Sequence, residues 1–462
     1  MKSSAGVLHL SLGVLLGFAA AAPPEAQAEI RASSKRSLGS KVNGVKGGSC
    51  NKGRCRISGG QRAGKNLFHR FRDFDTRGAI RDVRFQTGKA KNLFVGVTSP
   101  LGSFIDKRIA LSSKANLFWL SPGGMVLGSG ADFVNTPQLR LSTAGKLNFD
   151  AGQFDVFSSS ADDLALLRGE PLPGALGLQA TPQLESDAGL LPGIHLNGIN
   201  ISIDDDLLID APGGQVAVEN STLSVSAEEG VGGTLMLTGE QIEIDGNSQF
   251  LATGPEGGGL IQVGGSWQNS DPSVRQSVKA TVESGAVLDA SATDIGNGGE
   301  IVVWSDITNP DAVTSVAGSL SVEAGIAGGD GGRIETSGAD LDIAGIDVST
   351  YSPTGENGLW LLDPTDYIIG EDAATAIGSA LEGGNDVTVL VSGGNCDASY
   401  ATSSCTVGTP SGGGLTTAAG GGGDDRIKID RFINASTSAA VTLTLEAPGG
   451  VVLDDYISIK TY

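Results

Sequence analysis

Three histidines, four cysteines and a run of three aspartates are the residues of this 462-residue chain whose types invite a search for chemistry. His9 falls in an apolar N-terminal run, which leaves His69 and His195 as proton carriers. A general base works only beside an orienting acid and a group to deprotonate. His69 sits in Asn66-Leu67-Phe68-His69-Arg70-Phe71, and His195 follows Pro192-Gly193 in an apolar strand pattern. His195 reads as a satisfied strand residue, and no catalytic constellation stands out around either histidine. Asp204-Asp205-Asp206 would alternate faces along a strand, so a solvated loop is the better reading than a calcium site. Gly328–Gly332 has the composition of a calcium-binding nonapeptide but is not repeated in register. A phosphate-binding glycine loop needs a following helix and lysine, and none occurs. The acids are scattered, and no acid/base pair for sugar cleavage stands out. These residues yield no catalytic residue, no metal site and no cofactor, and the chain is read as a non-enzyme.

The cysteines fall in two close pairs, Cys50 with Cys55 and Cys396 with Cys405. Four cysteines allow three connectivities. Local pairing, Cys50 to Cys55 and Cys396 to Cys405, closes the smallest loops and is the simplest. The spacing of Cys50 and Cys55 also suits a metal, but the second pair lies about 340 residues away and only His69 is near. Disulfides require an oxidising compartment, and the N-terminus supplies the route. Lys2 precedes an apolar stretch from Val7 to Ala22, and Ala26-Gln27-Ala28 matches a signal-peptidase site, with cleavage expected after Ala28. No later window is long and apolar enough to span a bilayer, so the exported product is expected to carry no transmembrane segment.

The elements that hold these residues are strands. Glycine makes up 70 residues, aromatics 5% and charged residues 18%. Val, Ile, Leu and Ala interleave with Ser, Thr, Asn and Gly, which suits short half-buried strands and tight turns. Helical periodicity is confined to Ala161–Arg168 and Ala373–Leu381; Gly169–Pro192 is an irregular excursion and Gly412–Gly423 a low-complexity loop. A double small turn followed by alternating apolar residues recurs at Gly213-Gly214, Gly232-Gly233, Gly258-Gly259, Gly298-Gly299, Gly331-Gly332 and Asn357-Gly358, at spacings of 19, 26, 40, 33 and 26 residues. A turn-then-strand unit with a loose period predicts a parallel β-solenoid, with left-handed glycines at its corners. At roughly 22 residues per coil the mature chain would make about 20 coils and a rod on the order of 95 Å. Charge is divided: residues 29–120 hold 20 Lys+Arg against 5 Asp+Glu, and residues 121–462 hold 10 against 46. The basic head carries no nucleic-acid motif, and the acidic body opposes a nucleic-acid surface.

Residues 57–149 resemble the N-terminal secretion domain of the filamentous haemagglutinin family, the exported partner in two-partner secretion. The likeness rests on Asn66-Leu67-Phe68-His69-Arg70-Phe71, Asn92-Leu93-Phe94, Ser103-Phe104-Ile105-Asp106 and Asn116-Leu117-Phe118-Trp119-Leu120-Ser121-Pro122-Gly123-Gly124. Where family members carry an Asn-Pro-Asn-Gly-type turn, this chain has Ser121-Pro122-Gly123-Gly124. The resemblance implies a right-handed parallel β-helix with irregular loop excursions. It implies export by way of the periplasm through an outer-membrane β-barrel whose periplasmic domains bind the secretion domain, and a product secreted or held at the cell surface. Asn66, Leu67, Phe68, His69, Phe71, Asn92, Asn116, Leu117, Phe118, Ser121, Pro122, Gly123 and Gly124 are then the positions recognised by the transporter. The first coil is expected to offer an open strand edge. In each Asn-Leu-Phe run the phenylalanine ring is expected to enter the core while its neighbour faces out, and the asparagines bond along the stack. The divisions expected are 1–28 signal peptide, 29–200 secretion domain, 201–370 β-helical body and 371–462 glycine-rich continuation of a truncated member. The function expected is an adhesin-like exoprotein with a surface ligand such as a glycan or another cell. Alternatives are the delivery stalk of a contact-dependent toxin without its toxin, and a polysaccharide-acting β-helix enzyme.

Overall fold

The computed structural model describes residues 28–34, 38–149, 152–158, 191–365, 367–391, 426–437 and 440–447, with short strands at 178–179, 416–418, 451–453 and 460–461. The signal segment before Ala28 and the Ala161–Arg168 helix fall outside the described residues. So do most of the Gly169–Pro192 excursion and of the Gly412–Gly423 loop, in which only Leu178–Gln179 and Thr416–Ala418 are placed as strands.

Among the described residues the chain is all-β apart from one α-helix, Glu371–Glu382, and a single 3₁₀ turn, Trp267–Asn269. Its strands stack as parallel ladders on three faces. The first face is a run of twelve strands, from 66–71 at one end to Leu443–Glu446 at the other. The second runs from 74–75 through Ser103–Ile105, Met125–Leu127 and Leu191–Asn197 to Asp340–Asp342. The third is built first by Gly53–Gly59, Ile80–Phe85, Arg108–Leu111 and Asp132–Val134, then by six strands from Asn200–Ser202 to Asp347–Ser349. Alternation along each strand sends one set of apolar side chains inward, and these merge into one core from Ile30 to Ala447. This is the physical meaning of the period-two pattern: each coil is too thin to hide its own apolar face and buries it on its neighbours.

The double glycines mark the coils, though for a different reason from the one expected. Thr234, Leu260, Glu300, Arg333 and Leu359 stand in register on the first face, so the spacings 26, 40, 33 and 26 are coil lengths. Gly233, Gly259, Gly299, Gly332 and Gly358 precede them, and none has positive φ. What demands glycine is closeness. A Cβ on Gly299 would lie 2.0 Å from the Gly259 carbonyl oxygen, and one on Gly358 would lie 1.9 Å from that of Gly332. The 19-residue spacing is no coil: Gly213-Gly214 lies inside the long strand Asp206–Glu219 as it bends over a corner. The estimate of about 20 coils also fails, because loops lengthen the turns; the largest step, from Leu139 to its partner Leu207, spans 68 residues.

Nor is the first coil open-edged. Ile30–Ala32 and Gln61–Ala63 pair antiparallel with the first strand, Asn66–Asp75. Ser49–Cys50 pairs antiparallel with Ile30–Ala32, and Ser40–Val42 closes the third face the same way. Covering a terminal strand removes the unpaired amides that would template another chain. Cys50 and Cys55 are joined within this cap, with sulfurs 2.05 Å apart. Of the two local disulfides expected, this is the one found among the described residues. The other, between Cys396 and Cys405, is not tested there: Cys396 and Cys405 both lie outside the described residues, within 392–415.

Candidate functional site

The Asn-Leu-Phe runs lie on the first three rungs of the first face, directly above one another: Asn66, Asn92 and Asn116 are paired, as are the leucines and the phenylalanines. Asn92 Nδ2 donates to Asn66 Oδ1 at 2.8 Å, and Asn116 Nδ2 donates to Asn92 Oδ1 at 3.1 Å. The ladder is buried at Asn66 and Asn92 and half-buried at Asn116. Such a chain satisfies amides that would otherwise cost about 1–3 kcal/mol each to bury.

Leu67, Leu93 and Leu117 point into the solenoid core. The phenylalanines, whose rings were expected in that core with the leucines facing out, point the other way and are buried nonetheless. Phe68 and Phe94 stack at 4.7 Å and Phe94 and Phe118 at 4.6 Å between ring centroids. A β-hairpin, Lys146–Phe149 with Gly152–Asp155, lies over them. Phe154 sits 5.2 Å from Phe68, and Phe149 meets Phe94 edge-on at 5.4 Å. Together with Ala63, Leu120, Leu147 and Val156 they form a second core outside the coil. Arg70 pins the hairpin, its Nη2 donating to the Asp155 carbonyl at 2.7 Å while its guanidinium lies 5.7 Å from the Phe154 ring. Gly96, mid-strand in Asn92–Val97, makes room: a Cβ there would stand 3.1 Å from Phe154. That glycine was the one sequence signal for the cover, since glycine inside a strand often marks close approach.

His69 points inward, fully buried. Its Nδ1 is 2.9 Å from Ser40 Oγ, and its ring packs edge-on against Phe85. Burial, helped by the nearby Arg62 charge, pulls its pKa down to about 3, so the imidazole is neutral. No carboxylate orients it, and its Nε2 has no partner. Phe71 packs edge-on against Phe74 on the same strand.

The Ser121-Pro122-Gly123-Gly124 corner is held by a relay. Trp119 Nε1 donates to Ser103 Oγ at 3.1 Å, Ser103 Oγ to Ser121 Oγ at 2.9 Å, and Ser121 Oγ to the Gly124 carbonyl at 2.8 Å. Gly124 takes the left-handed conformation, φ 96°, that the turn needs. A Cβ on Gly123 would reach 2.3 Å from the Ser99 carbonyl, one coil back. Of the thirteen residues singled out from the sequence, eleven are buried, and Asn116 and Gly123 are half-buried. The structure gathers them into one block across three rungs and their corner.

Elsewhere the other sequence-singled residues stand apart. His195 points outward from Leu191–Asn197. Asp204 pairs with Lys114 at 2.8 Å, and Asp206 accepts from Gln138 Nε2 at 2.8 Å. Among the described residues no three His, Cys, Asp or Glu side chains form a metal-binding group, and no helix is long and apolar enough to cross a membrane.

The sequence model of the TPS secretion domain family matches residues 37–303, which includes this block and the coils after it. Among solved structures, the chain is similar to the HMW1 secretion domain from Haemophilus influenzae, at 16% identity over 67% of this chain and 95% of that one. The TM-score is 0.32, a superposition too loose to carry a residue-by-residue comparison. Among curated proteins none matches.

Proposed function

The chain belongs to the TPS secretion domain family, the exported partners of two-partner secretion, and from that premise we propose that it is an adhesin-like exoprotein whose transporter reads the Asn-Leu-Phe block before the coils close. As a substrate of that system it is exported across the outer membrane and meets a transporter there. The single observation behind the proposed mode of reading is burial. Asn66, Phe68, Asn92 and Phe118 are sealed between the coil core and the hairpin cover, so a partner reaches them only on the extended chain. Folding then hides the recognition block and releases the transporter's hold. The coils are proposed to be right-handed, as parallel strands joined by crossovers are in nearly every case. The division at 200/201 is proposed as one of function rather than fold, since the ladders run through it. The surface ligand is proposed to be a glycan or another cell. A second local disulfide, Cys396 to Cys405, is proposed on the same small-loop argument that Cys50 and Cys55 satisfy. Peptide mapping of the exported protein should recover Cys405 bound to Cys396; Cys405 bound elsewhere, or free, overturns that pairing.

Asn66→Ala and Asn116→Ala, each measured for thermal unfolding and for export in cells with the partner barrel, test the mode of reading. Asn66→Ala strands the Asn92 amide in the interior and is expected to cost about 1–3 kcal/mol. Asn116→Ala, at the half-buried end of the ladder, is expected to cost less. Export abolished equally by both supports side-chain reading. Export that merely follows stability sinks it.

A further inference from the structure

One excursion is unlike the others. Between Leu260–Val263 on the first face and Lys279–Val282 on the second, residues 264–278 leave the coil. In the coil from Arg333 the same passage takes a single residue, between Arg333–Gly338 and Asp340–Asp342. This strap is fastened in both directions. Toward the head, Arg275 Nε pairs with buried Asp210 at 3.4 Å, and Ser277 Oγ donates to the Gly239 carbonyl at 2.8 Å. Toward the far end, Trp267 joins Val302, Trp304, Ile307, Leu361 and Leu390 in an apolar cluster outside the coil. Trp304 Nε1 donates to Gln276 Oε1 at 2.9 Å, and the Arg333 guanidinium lies 4.2 Å from the Trp267 ring. The tip is Gln268-Asn269, two consecutive non-glycine residues with φ of 44° and 49°. Backbone of that kind persists only where the surroundings over-determine it. Here the Gln268 amide donates to Glu335 Oε2 at 2.7 Å, and Ser337 Oγ donates to Glu335 Oε1 at 2.9 Å.

We infer that residues 264–278 form a latch that binds the coils before them to those beyond residue 300, and that its tip closes on the buried Glu335 carboxyl. Glu335 is fully buried on the outward side of its strand, beneath the strap. Burial pushes its carboxyl up to about 8. The Gln268 backbone amide and the Ser337 hydroxyl, both donors to the carboxyl, oppose that rise, and the Asp363 and Glu300 carboxylates on the adjoining strands add to it. Arg333, on the same strand, is taken by Glu300, at 2.7 Å from Nε to Oε2. The Arg275–Asp210 pair lies at the other anchor. With the latch shut the proton stays on to about pH 8; with it open an exposed carboxyl releases it near its ordinary value. Closure therefore takes up a proton between those limits. It is favoured at low pH and weakens as pH rises to about 8. The inference is independent of the export route.

Hydrogen exchange of the Gln268 amide in the full chain, corrected for the intrinsic rate at each pH from 5 to 9, tests it. The opening ratio is expected to rise by up to tenfold per pH unit from about 5 and to level off above about 8. Glu335→Gln should flatten that rise while keeping the tip protected. Trp267→Ala should open the strap at every pH while the amides of Glu300–Trp304 stay protected. A wild-type opening ratio that does not change with pH overturns the inference, and the wild-type series decides this without any variant. A Glu335→Gln chain that keeps the full pH dependence also overturns it.

Discussion

His69 shows how a residue that looked chemical is used structurally. Neutral, buried and facing Ser40, it fills the interior of the first coil beside Phe71 and Phe85. Its pKa is about 3 when folded, against an ordinary 6.5, so the folded state binds fewer protons. Its contribution to stability is complete above about 6.5 and is lost as pH falls toward 3. At pH 4.5 that loss amounts to about 3 kcal/mol. His69→Met, which cannot titrate, should show a shallower loss between pH 7 and 4.5 in denaturant unfolding. Equal slopes for both proteins would contradict this. The sequence made His69 legible as part of a motif and not as a catalyst, because it falls in the Asn66–Phe71 run that carries the family resemblance. It could not reveal the inward orientation, which depends on which side of the strand the coil closes. The same limit hid the fate of the phenylalanines. Alternation correctly put leucine and phenylalanine on opposite faces, but only the hairpin's position decides that the outward face is dry.

At the scale of elements, the double glycines were legible as corners, but the left-handed conformation expected of them is taken at Gly213 and not at Gly233, Gly259, Gly299, Gly332 or Gly358. Their spacing is a coil length, which a repeat search finds; their reason is the approach of the neighbouring backbone, which it does not. Gly299→Ala tests that reason. It leaves φ in ordinary territory yet drives a methyl into the Gly259 carbonyl. The expected cost is about 1–3 kcal/mol, the scale of overpacking, read as a shift in the denaturant midpoint. A neutral substitution would mean that the stack breathes enough to admit a side chain. The hairpin over the phenylalanines and the strap over Glu335 were both missed. Excursions of this kind have no period, and their contacts are to coils distant in sequence, such as Gln268 to Glu335. The helix Glu371–Glu382 was legible because its apolar positions, Ala373, Ala374, Ile377 and Leu381 among them, recur at helical spacing and are buried on one side.

At the scale of the molecule, the twelve rungs that the described residues place on the first face, at about 4.8 Å each, give a stack of about 55 Å, shorter and thicker than a rod counted from 22-residue coils. Small-angle scattering should therefore show an elongated particle with a broad cross-section rather than a 95 Å needle. A pair-distance distribution symmetric about its maximum, as for a sphere, would contradict the solenoid. The class of fold was visible from the sequence because period-two strands and stacked glycines repeat along most of the chain. The antiparallel cap was not, since it is built once, from short strands around Ile30–Ala32 and Gln61–Ala63.

That cap gives the molecule a polarity. With the head side sealed by antiparallel strands, a new rung can be laid down at one face alone. Each asparagine of the ladder arrives as a donor to an acceptor already oriented on the rung before it. The head behaves as a seed crystal with one face covered: it nucleates its own chain, in the order in which that chain is made, and turns toward a foreign strand only antiparallel segments of two or three residues in place of the long Asn66–Asp75 edge.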